Sequence, residues 1–313
     1  MRIRNILPMA IAALFCAVSV PANALSTHTW VSANGNDSNT GTAASPYADF
    51  ATAVANTAAG GTVSVIGPGD YGPVTITQSI TIDGTGGGSI NFAGDGEGIY
   101  ISTSTATNIV LRNLSIDGGG TGSDAIFIAS AGTTNVVNVV IDGCLIAGFV
   151  DIGVGLGSES PMYVTVKNTT IQGGQLGVRT FQNGTVSPVT YDHVSLDHVT
   201  IQGATVNAVF TRNGTLEISN SVLTQNIGPG TAAVQADTSA TLSVESSMLT
   251  QNTNAVCSYS GSTIRLSNND IFDNGTGIED CGGTVATNGN NRKGGNPGTG
   301  GTVGSPNATV TVQ

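Results

Sequence analysis

The chain has 313 residues and a formal net charge of −11, from nine basic and twenty acidic side chains. This acidic balance argues against nucleic acid and anionic membranes as partners. Aromatic residues make up 5% of the chain and glycine supplies 44 residues, so any core must be largely aliphatic. No apolar stretch after the first 24 residues approaches the length of a membrane span.

Residues 1–24 have the pattern of a secretory signal peptide. Arg2 and Arg4 precede an apolar run that is too short to cross a membrane, and Ala22-Asn23-Ala24 supplies an A-x-A cleavage site. The sequence therefore predicts a secreted or periplasmic bacterial protein without membrane insertion. Removing this segment leaves seven basic and twenty acidic residues, which is a net charge of −13.

Residues 25–62 are predicted to form an N-terminal strand and a capping helix. Apolar residues recur there at helical spacing: Tyr47, Phe50, Val54 and Ala58. The spacing predicts a helix over Pro46–Ala59, with Ser45 as the N-cap, Pro46 in the first position and Gly60-Gly61 as the stop. We expect this helix to close the amino-terminal end of the domain that follows.

A run of Asn and Asp residues precedes the predicted helix. Asp37 and Asn39, with Asn34 and Asn36, offer oxygen ligands of the kind that calcium takes, roughly six to eight at a time. The run lacks the bidentate Glu of a dedicated calcium loop, and an Asx-rich turn that holds the cap is the alternative. The sequence thus indicates no certain cofactor and leaves Ca²⁺ at Asp37 and Asn39 as a hypothesis.

Residues 63–285 carry a hexapeptide that recurs at intervals of 22 to 30 residues. Its copies begin at Leu111, Ile141, Val166, Leu196, Ile218, Val244 and Leu266. The third residue of each copy is Asn, Gly, His or Ser. Asn and Gly tolerate a left-handed backbone, so this position predicts a tight bend between two short strands. A repeat of this period is typical of a solenoid, whose units are stabilised by stacking on their neighbours.

A second series consists of a small residue followed by Ile or Val. Its apolar members are Ile99, Ile126, Val154, Val178, Val209, Val234, Val256 and Ile278. The two series together give three short strands per turn with no room for a helix, which predicts an all-β fold, a parallel β-helix solenoid with a short N-terminal capping helix. The second series and the sixth hexapeptide positions are expected to form two aliphatic columns inside it.

Residues 286–313 are predicted to be a C-terminal closing segment. The stretch is rich in Gly and Asn, as loops are. Its last residues, Ala308–Val312, return to a β-forming composition and are predicted to add a final strand.

Three cysteines follow the signal segment. Cys144 shares an inward position with Leu114 and Thr169, which predicts a buried thiol. Cys257 and Cys281 lie on adjacent coils, and export favours a disulfide between them. A coil step of about 4.8 Å and a two-residue offset of about 6.6 Å would, however, place their Cα atoms about 8 Å apart. The sequence leaves both the disulfide and two separate thiols open.

Several motifs surround the predicted cap. They are the run from Trp30 to Thr42, Pro46-Tyr47, Gly61-Thr62-Val63 and Gly67-Pro68-Gly69-Asp70-Tyr71. With the capping helix, these motifs resemble the opening of secreted right-handed parallel β-helix proteins of the pectate-lyase-like superfamily. The resemblance covers nearly the whole chain after residue 24, and it implies a right-handed coil and a carbohydrate partner.

The resemblance implies no single reaction. The superfamily includes pectate and alginate lyases, polygalacturonases, pectin methylesterases, epimerases and adhesins. The chain has no Arg-x-Pro-x-x-Arg, no Asp-Asp or Gly-His-Gly and no Gly-Gln-Asp motif of these enzymes in its repeats. Ile141-Asp142-Gly143-Cys144 is similar to the Ile-Asp-His-Cys of pectate lyases, with Gly143 in place of His.

Outward positions follow the second series at one and three places along each strand. In the superfamily this face usually forms the substrate cleft, and exposed aromatic rings stack on sugars. The expected substrate-binding residues are Tyr100, Phe127, Phe181, Phe210, Asp237 and Tyr259. Arg179, Arg212 and His193 are the catalytic candidates, because Arg pairs with carboxylates and serves as a lyase base. The alternative is a structural role, with Arg212 paired to Asp237 and the rings packed under loops.

Three hypotheses for function follow. The first is an exported β-helix protein that binds polysaccharide with weak or no catalysis. The second is a polysaccharide lyase or glycoside hydrolase acting on a uronate-containing glycan, with Arg179 or Arg212 as base or charge neutraliser. The third is a non-enzymatic surface or adhesive structural protein. We expect the protein to be a monomer under each hypothesis.

Overall fold

A computed structural model of the chain describes residues 25–130, 136–158, 161–182, 192–298 and 306–309. The predicted signal segment, 1–24, lies outside the described residues. Three sheets, each made only of parallel strands, run the length of the described chain. Successive strands visit the first, second and third sheet in turn, so each coil holds three strands. This confirms the predicted all-β, right-handed parallel β-helix.

The strands are numbered along the chain and are given sheet by sheet. The first sheet comprises β1 (Ser26–Ser32), β2 (Thr57–Ile66), β5 (Ile80–Asp83), β8 (Thr107–Arg112), β11 (Val137–Asp142), β14 (Met162–Lys167), β17 (Asp192–Asp197), β20 (Gly214–Ser219), β23 (Thr241–Glu245), β26 (Thr263–Ser267), β29 (Thr284–Thr287) and β31 (Ala308–Thr309). The second sheet comprises β3 (Gly69–Asp70), β6 (Gly88–Asn91), β9 (Ser115–Gly122), β12 (Leu145–Phe149), β15 (Thr170–Gln172), β18 (Thr200–Gln202), β21 (Val222–Thr224), β24 (Met248–Thr250), β27 (Asp270–Phe272) and β30 (Arg292–Gly294). The third sheet comprises β4 (Val74–Ile76), β7 (Ile99–Thr103), β10 (Ile126–Ser130), β13 (Ile152–Ser158), β16 (Leu176–Gln182), β19 (Asn207–Arg212), β22 (Ala232–Asp237), β25 (Asn254–Ser258) and β28 (Thr276–Glu279).

The third residue of each hexapeptide makes the bend from the first sheet to the second. All seven have a left-handed backbone, with φ between 49° and 66°: Asn113, Gly143, Asn168, His198, Asn220, Ser246 and Asn268. One left-handed residue turns the chain sharply enough to start a new strand after a single further residue. The predicted bend is therefore confirmed, even where His or Ser occupies it.

Both predicted aliphatic columns are buried and in register. The column of the second sheet runs Ile116, Ile146, Ile171, Ile201, Leu223, Leu249 and Ile271. The second series forms the matching column of the third sheet, again buried along its length. Each fully buried aliphatic side chain stabilises the fold by about 1.5–3 kcal/mol, so every coil adds to the stability of its neighbours.

A ladder of buried asparagines lies at the bend from the second sheet to the third. Asn226 Nδ2 donates to Asn252 Oδ1 at 2.8 Å, Asn252 Nδ2 to Asn274 Oδ1 at 2.9 Å, and Asn274 Nδ2 to Asn296 Oδ1 at 3.0 Å. The same oxygens accept backbone N–H groups, for example that of Asn226 at 3.1 Å. The ladder satisfies polar groups that would otherwise be buried without partners.

The capping helix is shorter than the sequence predicts. It spans α1 (Phe50–Ala55), and its N-cap is Asp49, whose Oδ1 accepts the N–H of Thr52 at 2.6 Å. The prediction of Pro46–Ala59 with Ser45 as N-cap is wrong at both ends. Tyr47 is hydrogen-bonded to the backbone of β1, and the chain from Thr57 onward has already entered β2. Phe50 packs on Tyr71, with ring centroids 5.2 Å apart, which fixes the helix against the first coils.

The cysteines adopt two different states. Cys144 is buried, as predicted, and burial raises the pKa of its thiol to about 11. Cys257 and Cys281 form a disulfide with their Cα atoms 5.7 Å apart. The 8 Å separation expected from the register is wrong because β28 ends at Glu279. Cys281 therefore lies outside the strand register, and the residue after it, Gly282 with φ of 84°, forms an antiparallel bridge with Tyr259.

Strands continue into the predicted closing segment. β30 extends the second sheet on β27, and β31 extends the first sheet on β29. Among the described residues, no helix is long and apolar enough to cross a membrane, since α1 has six residues.

Candidate functional site

The outer face of the third sheet carries an open concavity of about 480 Å³ across β16, β19 and β22. We call it the third-sheet groove and define it by Arg179, Phe181, Phe210, Arg212, Gln235 and Tyr259. Side chains alternate between the two faces of a strand, so residues one and three places after the buried Val178 or Val209 must point outward. The groove thus follows directly from the repeat, and it gathers five of the predicted site residues.

Aromatic rings and guanidinium groups alternate across the groove. Arg179 on β16 is paired with Phe210 on β19, and Phe181 is paired with Arg212. The guanidinium carbon of Arg212 lies 5.1 Å from the ring centroid of Phe181 and 5.8 Å from that of Phe210. The guanidinium carbon of Arg179 lies 5.5 Å from the Phe181 centroid. Such cation–π contacts are worth about 0.5–1 kcal/mol each, and they hold the rings in place.

Arg212 is neutralised by a carboxylate. Its Nε donates to Asp237 Oδ2 at 3.0 Å, and its terminal Nη2 donates to the same oxygen at 2.5 Å. Burial opposes ionisation of Asp237, but the bonds from Arg212 and Thr238 outweigh it and hold the pKa of this carboxyl below its ordinary value. The geometry therefore favours the structural alternative for these two residues, in which Arg212 is paired with Asp237.

Arg179 is in a different situation. Among the described residues, no carboxylate lies within salt-bridge distance of its guanidinium. Its Nε is buried without a hydrogen-bond partner in the described part of the chain. Among the described residues, Arg179 therefore brings to a groove lined with aromatic rings a guanidinium that no carboxylate approaches within salt-bridge distance.

Asp124, which is not among the predicted site residues, interacts electrostatically with Arg179. Asp124 accepts the N–H of Ile152 at 3.1 Å. Burial first, and then the negative charge of Asp151, raise its pKa to about 6, although the charge of Arg179 acts in the opposite direction. The signal in the sequence is an acid placed just before the small and apolar pair, in Asp124-Ala125-Ile126.

Tyr100 and Phe127 extend the same face toward the amino-terminal end. Their rings are stacked, with centroids 6.3 Å apart and planes 13° apart. The Phe127 ring covers Gly155 and Gly157 of the next strand, where an added Cβ would lie 2.8 Å from ring atoms. These two rings lie on β7 and β10, away from the groove, and Phe127 is used for packing on one of its faces.

His193 lies on another face of the molecule. It is on β17 of the first sheet, stacked on Tyr163 with ring centroids 5.0 Å apart. The structure therefore does not bring it together with Arg179 or Arg212.

The side chains considered for calcium have partners within the protein. Asp37 Oδ1 accepts the N–H groups of Ala48 at 2.8 Å and Asp49 at 3.2 Å, and Asn39 Nδ2 donates to the carbonyl of Pro46 at 2.7 Å. These bonds are those of a turn that holds the cap. Calcium binding at Asp37 and Asn39 stays a prediction.

One group of metal-ligating side chains occurs among the described residues. The ligand atoms of Cys257, Glu279 and Cys281 lie within 4.8 Å of one another. The two sulfur atoms are bonded to each other in the disulfide, so they are not available as thiolate ligands.

Comparison with known proteins gives similarity in structure only. No protein-family model matches the chain, and no curated protein matches it in sequence. The pectate lyase Pel9A superposes with a TM-score of 0.56 at 12% identity, covering 83% of this chain and 74% of its own. The GH136 lacto-N-biosidase from Eubacterium ramulus superposes with a TM-score of 0.58 at 10% identity, covering 90% of this chain and 66% of its own. The chain thus shares the right-handed parallel β-helix fold of these two proteins.

Proposed function

We propose that the protein binds an acidic polysaccharide in the third-sheet groove. The observation that carries this proposal is the guanidinium of Arg179, which has no salt-bridge partner among the described residues and lies beside two aromatic rings. A guanidinium holds a carboxylate through two parallel hydrogen bonds, and an aromatic face packs on the apolar face of a sugar ring. A uronate unit offers both surfaces at once.

The overall charge of the protein does not oppose this assignment. The chain is strongly acidic, but charges on a wet surface are screened beyond about 8–10 Å at physiological salt. A carboxylate inside the groove therefore interacts mainly with Arg179. Arg212, whose charge is balanced by Asp237, serves to hold Phe181 and Phe210 in position.

The two structural neighbours support carbohydrate as the class of ligand. One is a pectate lyase and the other is a lacto-N-biosidase, and both names describe action on a glycan. A fold shared at this level of identity assigns no reaction. The proposal therefore rests on the groove, and export of the protein remains a prediction from residues 1–24.

A second candidate function is cleavage of the same glycan. The observation that favours it is Asp124, whose carboxyl has a pKa of about 6 and is influenced by both Asp151 and Arg179. Carboxyls with a pKa near the working pH transfer protons well. A lyase would release unsaturated products that absorb ultraviolet light, and a hydrolase would release new reducing ends. Loss of product with Asp124→Asn, with binding kept, would establish this function.

The test is a calorimetric titration with oligogalacturonides and with neutral galacto-oligosaccharides of equal length. We expect Phe210→Ala to weaken binding of both ligands by about 1–2 kcal/mol. Arg179→Ala should weaken binding of the acidic ligand only. Arg265→Ala is the matched control, because it removes one exposed positive charge from another sheet. Wild-type affinity in all three variants, or no saturable binding at all, would leave the adhesive or structural hypothesis in its place.

A further inference from the structure

The third-sheet groove contains a polar side chain, Gln235, that the proposed function does not use. Gln235 lies on β22 and is half-buried. It is in register with Phe210 on β19, which is in register with Arg179 on β16. Neighbouring strands lie about 4.8 Å apart, so Arg179, Phe210 and Gln235 form one row across the groove. The row consists of a cation, an aromatic ring and an amide.

The amide of Gln235 is held in one orientation by Asn207. Asn207 is buried, and its Nδ2 donates to the carbonyl of Ala232 at 2.8 Å and to Gln235 Oε1 at 3.0 Å. A backbone carbonyl can only accept a hydrogen bond, so the nitrogen of Asn207 must face it. The second hydrogen of that nitrogen needs an acceptor, which is the oxygen of the Gln235 amide. Nε2 of Gln235 is then left on the far side of the amide from Asn207.

This Nε2 group is available to a ligand. Its two hydrogens have no acceptor among the residues that the structure describes. It is also absent from the buried polar atoms that lack a partner in that part of the chain, so solvent reaches it. Because Asn207 has already fixed the amide, little side-chain entropy is lost when Nε2 donates to a bound molecule. Gln235 therefore offers the groove an oriented hydrogen-bond donor.

A uronate stacked on Phe210 has oxygen atoms for both ends of the row. The carboxylate is carried on C5, and the hydroxyl groups on C2 and C3 lie on the opposite side of the pyranose ring. When the carboxylate meets Arg179, those hydroxyl groups face Gln235. We propose that Gln235 determines specificity by donating from Nε2 to the oxygen on C2 or C3, and that Asn207 is the residue that positions it. This inference rests on the proposed function, because Arg179 and Phe210 orient the sugar.

Calorimetric titration with an oligogalacturonide and with its methyl ester tests the role of Gln235. Gln235→Met keeps the length of the side chain and removes the donor. We expect binding of the acid and of the ester to weaken by the same factor, about three- to tenfold, because one hydrogen bond is lost at the end of the ring that carries no carboxyl. Arg179→Ala should instead remove the preference for the acid. Gln172→Met, on the second sheet, is the matched control and should bind as wild type does.

A double-mutant cycle tests the role of Asn207. Asn207→Ala should weaken binding of both ligands, because the amide of Gln235 is then free to rotate. In a Gln235→Met background the same change should not alter the affinity further. Equal losses in the two backgrounds would show that Asn207 has only a structural role. Gln235→Met keeps the bond from Asn207 to Ala232, so it tests the donor even if Asn207→Ala does not fold.

The results for Gln235→Met and Arg179→Ala separate this inference from the proposed function. If Gln235→Met binds both ligands as wild type does while Arg179→Ala loses its preference for the acid, the inference is wrong and the proposed function stands. A loss confined to the acid in Gln235→Met would place the amide on the carboxylate and would also overturn the inference. If neither variant changes the affinity for either ligand, the proposed function fails together with it.

Discussion

Phe181 and Arg212 lie directly opposite each other on adjacent coils, with the guanidinium carbon 5.1 Å from the ring centroid. Arg212 also contacts Phe210 and is bonded to Asp237. One side chain thus holds three neighbours of the groove in position. Arg179, by contrast, contacts one ring and has no carboxylate partner among the described residues. The two arginines therefore differ in their surroundings, and we propose a positioning role for Arg212 and ligand binding for Arg179.

Replacing Arg212 by Ala should lower the stability of the protein. The change removes two cation–π contacts and the partner of a partly buried carboxylate, so we expect the free energy of unfolding to fall by about 1–2 kcal/mol. Urea unfolding followed by circular dichroism measures the effect. Arg265→Ala is the control and should change stability by less than about 0.5 kcal/mol. Equal stability of the two variants would contradict the positioning role.

The interior of the coils could be predicted because it depends on local rules. A left-handed bend and strict alternation along each strand point Ile116 and Ile146 inward, in register on adjacent strands. This placement does not depend on the conformation of the loops. The same alternation places Arg179 and Phe210 outward on neighbouring strands. Fold and groove composition are thus consequences of the repeat.

Features that depend on contacts between distant segments could not be predicted in the same way. Ser45 and Asp49 are both good N-caps, and Asp49 is used because the preceding residues pair with β1. The disulfide depends on a turn after Glu279 that the repeat does not encode. The asparagine ladder does leave a signal in the sequence, since Asn226 and Asn252 each follow Thr-Gln.

Replacing Asn252 by Ala should be strongly destabilising. The substitution leaves Asn226 Nδ2, the N–H of Asn226 and Asn274 Oδ1 with one bond fewer inside the rod. A buried group left unsatisfied costs about 1–3 kcal/mol, so we expect a loss of at least about 3 kcal/mol in urea unfolding. The exposed Gln172 is the control, and its change to Ala should have little effect. A small effect of Asn252→Ala would show that water replaces the ladder.

Cys144 should resist alkylation in the native protein. The thiolate is the reactive form, and burial holds the pKa of this thiol at about 11 while also blocking access. In protein without residues 1–24, which contain Cys16, mass spectrometry after native treatment with iodoacetamide should find no modified cysteine. Unfolding without a reductant should then expose Cys144 alone, because Cys257 and Cys281 are bonded. Native labelling at Cys144 would show that its side chain faces outward.

The stability of the protein should decline as the pH rises from about 4 to about 7. Burial raises the pKa of Asp192 to about 7, although the N–H of Met162 donates to it. A carboxyl with a raised pKa binds its proton more tightly in the folded state than in the unfolded state. Asp192 therefore contributes its full stabilisation below the unfolded pKa of about 3.9. That stabilisation is lost as the pH rises through the folded-state pKa.

The size of this effect is on the order of 4 kcal/mol, at about 1.36 kcal/mol per pKa unit. Asp192→Asn should remove most of this decline, because its side chain stays neutral. Asp197 provides a control, because its effect on stability changes with pH in the opposite direction. Hydrogen bonds from Asn220, and then His198 and Ser219, lower its pKa to about 2, so its contribution is lost when the pH falls. An unchanged pH profile in Asp192→Asn would contradict the assignment.

The most direct test of the third-sheet groove compares an oligogalacturonide with its methyl ester, which has the same size but no charge. Wild type and Arg179→Ala are titrated with both ligands by calorimetry, with Arg265→Ala as the control. If Arg179 binds the carboxylate, wild type prefers the acid by at least about tenfold, or 1.4 kcal/mol. Arg179→Ala then binds the acid and the ester equally. A preference for the acid that persists in Arg179→Ala would contradict the proposed function.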